Sequence, residues 1–393
     1  MRRPEPVAIV AAGVVTPVGQ DVESFWLSLV TGVRGISTIE RFPVSDLRVG
    51  RGGEIKKLTR ITEWGRVPDC RATRLLISAA ADLRWRIEGG SADPARVAVV
   101  VGTAIGGVEE GEKVLAGDRR RRRLRGALYD SPAHDLARWL GARGPAITVS
   151  TACASGAGAL GLGADLLRHG VADEVVAGGY DILCRFVMRG FDALRSLTRD
   201  EVRPFDRRRS GLLLGEGAGL VLLRREADAG RRRLGTLLGY GSAGDAVHIS
   251  APDPEGRGLE RSVHAAMAQA GIGPDEVDFV SAHGTGTRLN DAIETAVLKR
   301  ALGPRAGRLP VNSIKPAMGH TMGAAGVLEA VMCLLASRHG QIPPTLNLEE
   351  ADPECDLDYV PGAARAARPR ISLSTSLGFG GCNAALVLEG QPW

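Results

Sequence analysis

Three short segments of this chain combine a nucleophile, two imidazoles and a cation at turns between apolar runs and helices. The first is Ser150-Thr151-Ala152-Cys153-Ala154-Ser155-Gly156. A thiol in the first turn of a helix meets unpaired backbone N–H groups and the positive end of the macrodipole. Both favour the thiolate, which is the nucleophilic form. The tight turn also aims a backbone N–H at any carbonyl the sulfur attacks. The competing reading is a small buried hydrophobe, the commonest fate of a free cysteine. Cys70, Cys184, Cys333 and Cys355 lack such a context and read as fillers of core or loops.

The second segment, Ser281-Ala282-His283-Gly284-Thr285-Gly286-Thr287, places a His on a Gly-rich turn after an apolar run. Chemistry in α/β folds sits at such strand ends. Thr285 and Thr287 alternate, so both hydroxyls can face one cleft. A phosphate cradle is the weaker alternative, because no Walker lysine follows, and a turn histidine bonded only to backbone is the plain one. The third, Asn312-Ser313-Ile314-Lys315-Pro316-Ala317-Met318-Gly319-His320, brings a Lys and a His to a loop before a small-residue helix. Glu329 follows on that helix, so Lys315, His320 and Glu329 suggest a charge network that positions the imidazole. A surface Lys and a helix-start His would look the same in isolation. A Cys nucleophile with His partners is acyl-transfer chemistry. A second imidazole adds a hydrogen-bond donor where an oxyanion or enolate develops. That set suits decarboxylation followed by carbon–carbon bond formation on a thioester.

The elements that must position these groups are legible as β-branched runs bounded by glycine: Val7–Val10, Val97–Val101, Ala146–Val149, Glu174–Val176 and Leu220–Leu223. Leu234–Tyr240, Val277–Ser281, Leu309–Asn312, Ile371–Thr375 and Ala384–Leu388 repeat the plan. Such runs predict buried strands. The segments between them, Arg71–Gly89 and Ala157–Arg168 among them, have helical periodicity, which predicts an α/β fold. Gly215–Leu222 parallels Gly378–Leu388, an internal duplication whose boundary falls in Asp228–Arg233, a polar Gly/Arg stretch of linker type.

Composition narrows the function classes. Hydrophobic residues make up 44% of 393 and charged residues 24%, so the chain is an ordinary globular one and not a disordered or collagenous one. Aromatics are 4% against 52 glycines, so the core must pack Ala, Val, Leu and Gly with close backbones. The net charge of +5 is scattered without interleaved aromatics, which argues against nucleic-acid binding. Six cysteines without CxxC spacing argue against zinc or disulfides and for a reducing, cytoplasmic setting. Met1–Pro6 lacks a signal peptide's apolar core. No apolar stretch reaches the ~18 residues of a membrane span.

A set of ordered segments together resembles the β-ketoacyl-[acyl carrier protein] synthases of the elongating type, in the thiolase-fold superfamily. They are Val7–Gly19, Gly102–Gly107, the Cys153 segment, Arg203-Pro204-Phe205-Asp206 with Gly215–Gly219, the two His segments, and Gly378-Phe379-Gly380-Gly381. The resemblance implies a five-layered α/β/α/β/α fold with internal duplication. Residues 1–230 would form a half carrying the nucleophile, and 231–393 a half carrying both His. It implies that Cys153 takes an acyl chain from the phosphopantetheine of an acyl carrier protein, with no bound cofactor. His283 and His320 would promote malonyl decarboxylation. The N–H groups of Cys153 and Phe379 would form an oxyanion hole. Lys315 would pair with Glu329 and order the His320 side. Thr285 and Thr287 would bind the pantetheine arm, Asp291 and Glu294 would be structural, and Phe379 and Ile105 would line or gate the acyl pocket. The expected assembly is a homodimer, or a heterodimer with a chain-length subunit.

The chain departs from the family pattern at Cys382, where a hydrogen-bonding residue is usual. This puts a second thiol near the expected site and keeps a coenzyme A-dependent thiolase-type acyltransferase open as an alternative. A non-catalytic chain-length factor would lack the Cys153 thiol. Leu377 replaces a common Phe, and Ser210 a usual Asp. The stretch Gly107–Ile147 is short and carries the basic run Arg119–Arg125, which points to aryl-polyene or type II polyketide ketosynthases over membrane-lipid enzymes. That run, like Arg207–Arg209, reads either as a solvated mobile loop or as a docking site for an acidic carrier protein.

Overall fold

The computed structural model describes residues 4–58, 68–85, 92–230 and 233–391. Ten strands form its main sheet: β1 Val7–Val15, β2 Val97–Gly102, β3 Ala146–Val149, β4 Glu174–Asp181 and β5 Gly217–Arg225 in the first half, then β6 Gly235–Gly244, β7 Phe279–Ser281, β8 Val311–Asn312, β9 Ile371–Gly378 and β10 Cys382–Gly390. Every one overlaps a run read from the sequence.

Their order in space is β3-β2-β4-β5-β1-β6-β10-β9-β7-β8. Numbering the strands within each half gives 3-2-4-5-1 twice, so the halves share one topology and meet along β1 and β6. In both, the first four positions of that order are three parallel strands and one antiparallel strand. The likeness of the Gly-rich turns is looser than it looks in sequence. Gly378–Cys382 closes a tight hairpin between β9 and β10, whereas residues 182–216 intervene between β4 and β5.

Helices supply the other layers. The named ones are α1 Arg71–Trp85, α2 Arg121–Gly126, α3 Ser155–Arg168, α4 Arg185–Ala193, α5 Arg257–Ala270, α6 Arg288–Leu302 and α7 Ala325–His339. α1 covers the outer face of the first half-sheet, and α5 the outer face of the second. α3 and α7 lie between the half-sheets, completing five layers. α7 is buried all round from Ala325 to Ser337, as a central helix apolar on every face must be. The small residues make this possible: a Cβ on Gly156 would stand 2.6 Å from the Gly323 carbonyl oxygen.

Residues 86–89 of the helix read from the sequence, Arg231 and Arg232 of the linker, and Met1–Arg3 lie outside the described residues. Among the described residues no helix is long and apolar enough to cross a membrane.

Candidate active site

The Cys153 segment is an elbow between β3 and α3. Ala152 is held at φ +50°, a left-handed conformation that strains a residue with a Cβ. The Ser155 hydroxyl keeps it there, donating to the Ala152 carbonyl at 2.5 Å and accepting the Thr151 N–H at 2.9 Å. Gly378 packs against this turn, its ideal Cβ position 3.1 Å from the Cys153 nitrogen, and the Phe379 N–H donates to the sulfur.

The thiolate expectation fails for the resting site. Cys153 is buried, and burial pushes its thiol up to about 12, although Lys315 pulls it down. The sulfur precedes the first residue of α3, so the helix end acts on it, but desolvation of the charged form is the larger effect. The resting nucleophile is a protonated thiol.

His283 follows β7 on a loop fixed by two buried carboxylates. Glu294 accepts the His283 N–H at 2.7 Å, the Gly284 N–H at 2.9 Å and the Thr375 hydroxyl at 2.7 Å. Asp291 accepts the Phe205 N–H at 2.8 Å and the Gly286 N–H at 3.2 Å. The carboxylates thus do structural work on backbone, as expected. The His320 backbone is clasped by the other half: its N–H donates to the Leu213 carbonyl, and its carbonyl accepts the Gly215 N–H. The two imidazoles meet edge to face, with centroids 5.2 Å apart. Burial and the Lys315 charge hold both well below the usual histidine range, so both are neutral at pH 7.

Lys315 and Glu329 form a buried ion pair at 2.5 Å. Lys315 also donates to the His283 carbonyl oxygen. The pair spans the turn that carries His320, from residue 315 before it to residue 329 after it, and its further bond reaches the His283 loop as well. Burial pushes the Glu329 carboxyl up to about 7 in spite of Lys315.

Cys153, His283, His320, Thr285, Thr287 and Phe379 all line one cavity of about 400 Å³. The two threonine hydroxyls stand 3.1 Å apart, as their alternation implied. Models of the β-ketoacyl synthase N-terminal domain and C-terminal domain match residues 4–229 and 234–349. The chain belongs to the β-ketoacyl synthase family.

Among its relatives, the synthase is 38% identical to the tetracenomycin polyketide synthase ketoacyl synthase alpha subunit of Streptomyces glaucescens, over 97% of this chain and 96% of that one. It is 35% identical to 3-oxoacyl-[acyl-carrier-protein] synthase 2 of Synechocystis sp., over 98% and 97%. Its fold superposes on the solved ishigamide ketosynthase/chain length factor with a TM-score of 0.91 at 34% identity, covering 99% of this chain and all of that one.

Other sequence-read residues fall elsewhere. Ile105 does not line the synthase's cavity; it packs half-buried against apolar clusters on the first half, its N–H drawn to Asp181 at 3.2 Å. Cys382 is also off the cavity wall. It is the first residue of β10, and strand alternation turns the next residue, Asn383, to the cavity. This removes the second thiol that a thiolase-type site needs. Leu377 and Ser210 do line the cavity, and Ser210 shares a hydrogen bond with Thr198 at 2.7 Å.

Part of each basic run is tied into ion pairs, while Arg119 and Arg121 stand exposed. Arg121–Arg125 lie in α2, not in a mobile loop. Arg123 is buried against Glu110 at 2.6 Å and against Asp69 and Asp118 at 3.2 Å, while Arg125 pairs with Asp135 at 3.0 Å. Arg209 is buried with Asp352, and Arg208 pairs with Glu349 at 2.5 Å.

Sequence reading missed Asn383 and Phe191 in the cavity wall. Asn383 donates to Asp245 at 2.8 Å and to the Gly381 carbonyl at 3.1 Å, tying the Phe379 turn to the loop after β6. Phe191 stacks on Phe379 with centroids 5.4 Å apart. For Asn383 the available signal was a polar residue directly after the Gly-rich turn; for Phe191 there was none.

Proposed function

We propose that this chain is a decarboxylating condensing enzyme that extends an acyl group held on Cys153 with malonyl-[acyl carrier protein], giving β-ketoacyl-[acyl carrier protein] in fatty-acid or polyketide chain elongation. The observation that carries this reading is the convergence of one thiol and two neutral imidazoles on a single cavity.

The roles follow from the geometry. The acyl thioester of the carrier's phosphopantetheine arm enters past Thr285 and Thr287, whose hydroxyls bind the arm. The Cys153 sulfur attacks the thioester carbon, its proton passes to a neighbouring neutral imidazole, and the pantetheine thiolate leaves with that proton. The N–H groups of Cys153 and Phe379 stabilise the tetrahedral oxyanion. Malonyl-carrier then binds, carbon dioxide leaves, and the electron pair forms an enolate facing the N–H groups of His283 and His320. Neutral imidazoles suit this task because each keeps one N–H to donate. The enolate carbon attacks the Cys153 thioester, and the sulfur departs and takes up a proton. Lys315 and Glu329 hold the His283 loop. Phe379, stacked on Phe191, gates the cavity.

We assign the nucleophile to residues 1–230 and both imidazoles to residues 231–393. The acyl carrier protein is the delivering partner, the reaction uses protein groups and the carrier's own arm, and its thiol stays reduced as in the cytoplasm. Similarity to the ishigamide ketosynthase/chain length factor favours a second subunit, either a copy of this chain or a chain-length partner; native mass spectrometry of the purified chain separates the two.

The test is incubation with acyl- and malonyl-carrier protein, with Cys153→Ala as control. A β-ketoacyl product lost in the variant is expected. Carbon dioxide release without condensation would redirect the assignment to a decarboxylase.

A further inference from the structure

We infer that Asp181 is a positioning residue whose single buried carboxylate holds the Cys153 elbow and the His320 turn in register. The inference rests on the condensing reading above.

Asp181 ends β4 with no exposed surface. Its Oδ1 accepts the Thr103 hydroxyl at 2.6 Å and the Ile105 N–H at 3.2 Å. Its Oδ2 accepts the Ala104 N–H at 2.8 Å and the Gly323 N–H at 2.6 Å. Three donors come from the loop after β2, and the fourth comes from the other half of the chain. Each side leads directly to a reacting group.

On the first side, the Ser155 hydroxyl lies 3.2 Å from the Thr103 carbonyl oxygen, which shares the one proton that the hydroxyl gives mainly to Ala152. That hydroxyl is the one that fixes Thr151 and Ala152, and Cys153 is the next residue. On the second side, Gly323 lies three residues after His320 in a short helical turn, Met322–Ala324, whose Met322 sits at φ +48°. Gly323 is wedged in place. A Cβ there would stand 2.6 Å from the Thr103 Cα and 2.7 Å from Asp181 Oδ2. The Gly323 carbonyl, in turn, would stand 2.6 Å from a Cβ on Gly156 in the first turn of α3. Asp181 is thus the point where the turn after His320 and the elbow of Cys153 share one anchor.

Electrostatics alone would disfavour a carboxylate here. Burial pushes Asp181 up to about 6 despite its four donors, and its charge pushes the Cys153 thiol up as well. Its contribution is therefore geometric: only a two-oxygen acceptor satisfies four donors arriving from two halves.

The two effects have opposite signs, which makes the test specific. In Asp181→Asn the amide nitrogen faces two donors and the negative charge is gone. Condensation kcat should fall at least tenfold with KM for malonyl-carrier within about twofold, while alkylation of Cys153 by iodoacetamide at pH 8 becomes several-fold faster. Thr103→Val removes the hydroxyl's bond to Asp181 and the one it accepts from the Gly106 N–H, and leaves the charge, so kcat should fall with no faster alkylation; this variant serves if Asp181→Asn does not fold. Unchanged kcat in both variants would overturn the inference. So would a parallel loss of kcat and alkylation with a raised KM, which marks general disruption. If the wild type itself makes no β-ketoacyl product, the condensing reading falls; a crystal structure of Asp181→Asn with the Cys153 elbow and the His320 turn unmoved would separately overturn the anchor role.

Discussion

Replacing Lys315 by Met probes the electrostatics that keep both imidazoles neutral. The lysine is buried, paired with Glu329 at 2.5 Å and bonded to the His283 carbonyl. Its charge depresses His283, His320 and the Cys153 thiol together. Removing one partner of a buried pair leaves the other uncompensated, a loss of about 3–5 kcal/mol. A nearby unit charge at an effective dielectric of about 20 is worth a few kcal/mol, so the imidazoles should rise by about 1–2 pH units after partial screening. The sign is fixed by the chemistry. Condensation needs neutral donors, and activity is lost as pH falls through the imidazole pKa. That pKa climbs in the variant, so the acid limb of kcat against pH moves upward. The thiol also rises, so alkylation of Cys153 slows at fixed pH. A double variant, Lys315→Met with Glu329→Leu, separates stability from tuning. It removes both buried charges and should regain most of the lost stability in urea titration, yet keep the displaced acid limb. The assay is product formation from acyl- and malonyl-carrier between pH 5 and 9. An acid limb that stays in place in the single variant, or a double variant as unstable as the single, would refute the reasoning.

Three other outcomes follow from the same geometry. Gly378→Ala places a Cβ 2.8 Å from the Thr151 carbonyl oxygen and 3.1 Å from the Cys153 nitrogen; it should displace the Phe379 N–H and cut kcat by about 10²-fold, the cost of one oxyanion donor, and steady-state kinetics against the wild type would read it. Burial pushes Asp291 up to about 6, so its ionisation opposes folding: stability is lost as pH rises from about 4 to about 6 and levels off above. Urea midpoints should show Asp291→Asn gaining on the wild type across that window by up to about 3 kcal/mol, and a constant difference would contradict it. Exchanging Arg119, Arg121 and Arg122 for Ser, with Arg123 left in its buried ion pairs, should leave KM for acyl-carrier protein unchanged if the run is structural; a severalfold rise would restore the docking reading.

What the sequence made legible, and what it hid, divides along a physical line. Strand positions were readable because a buried parallel strand needs an unbroken apolar run, as in Val97–Val101, buried from Ala98 onward. The three chemical segments were readable because turns after such strands admit few residue types. Burial was not readable, and burial reverses the local argument at Cys153: a helix end favours the thiolate, but the enclosing core disfavours it more. Pairing across long separations was hidden for the same reason. Arg119–Arg125 looks like free charge until Asp69 and Glu110, remote in sequence, close on Arg123. The Lys315–Glu329 pair was visible as spacing, while its grip on the His283 carbonyl required β7 and β8 to lie side by side. Asp181 shows the limit most clearly. It closes a strand that opens on Glu174, and in one dimension it is an unremarked residue. Its meaning comes from four donors that only the folded duplication brings together. Local chemistry therefore identifies the reacting atoms, and the tertiary fold decides their charge and their spacing.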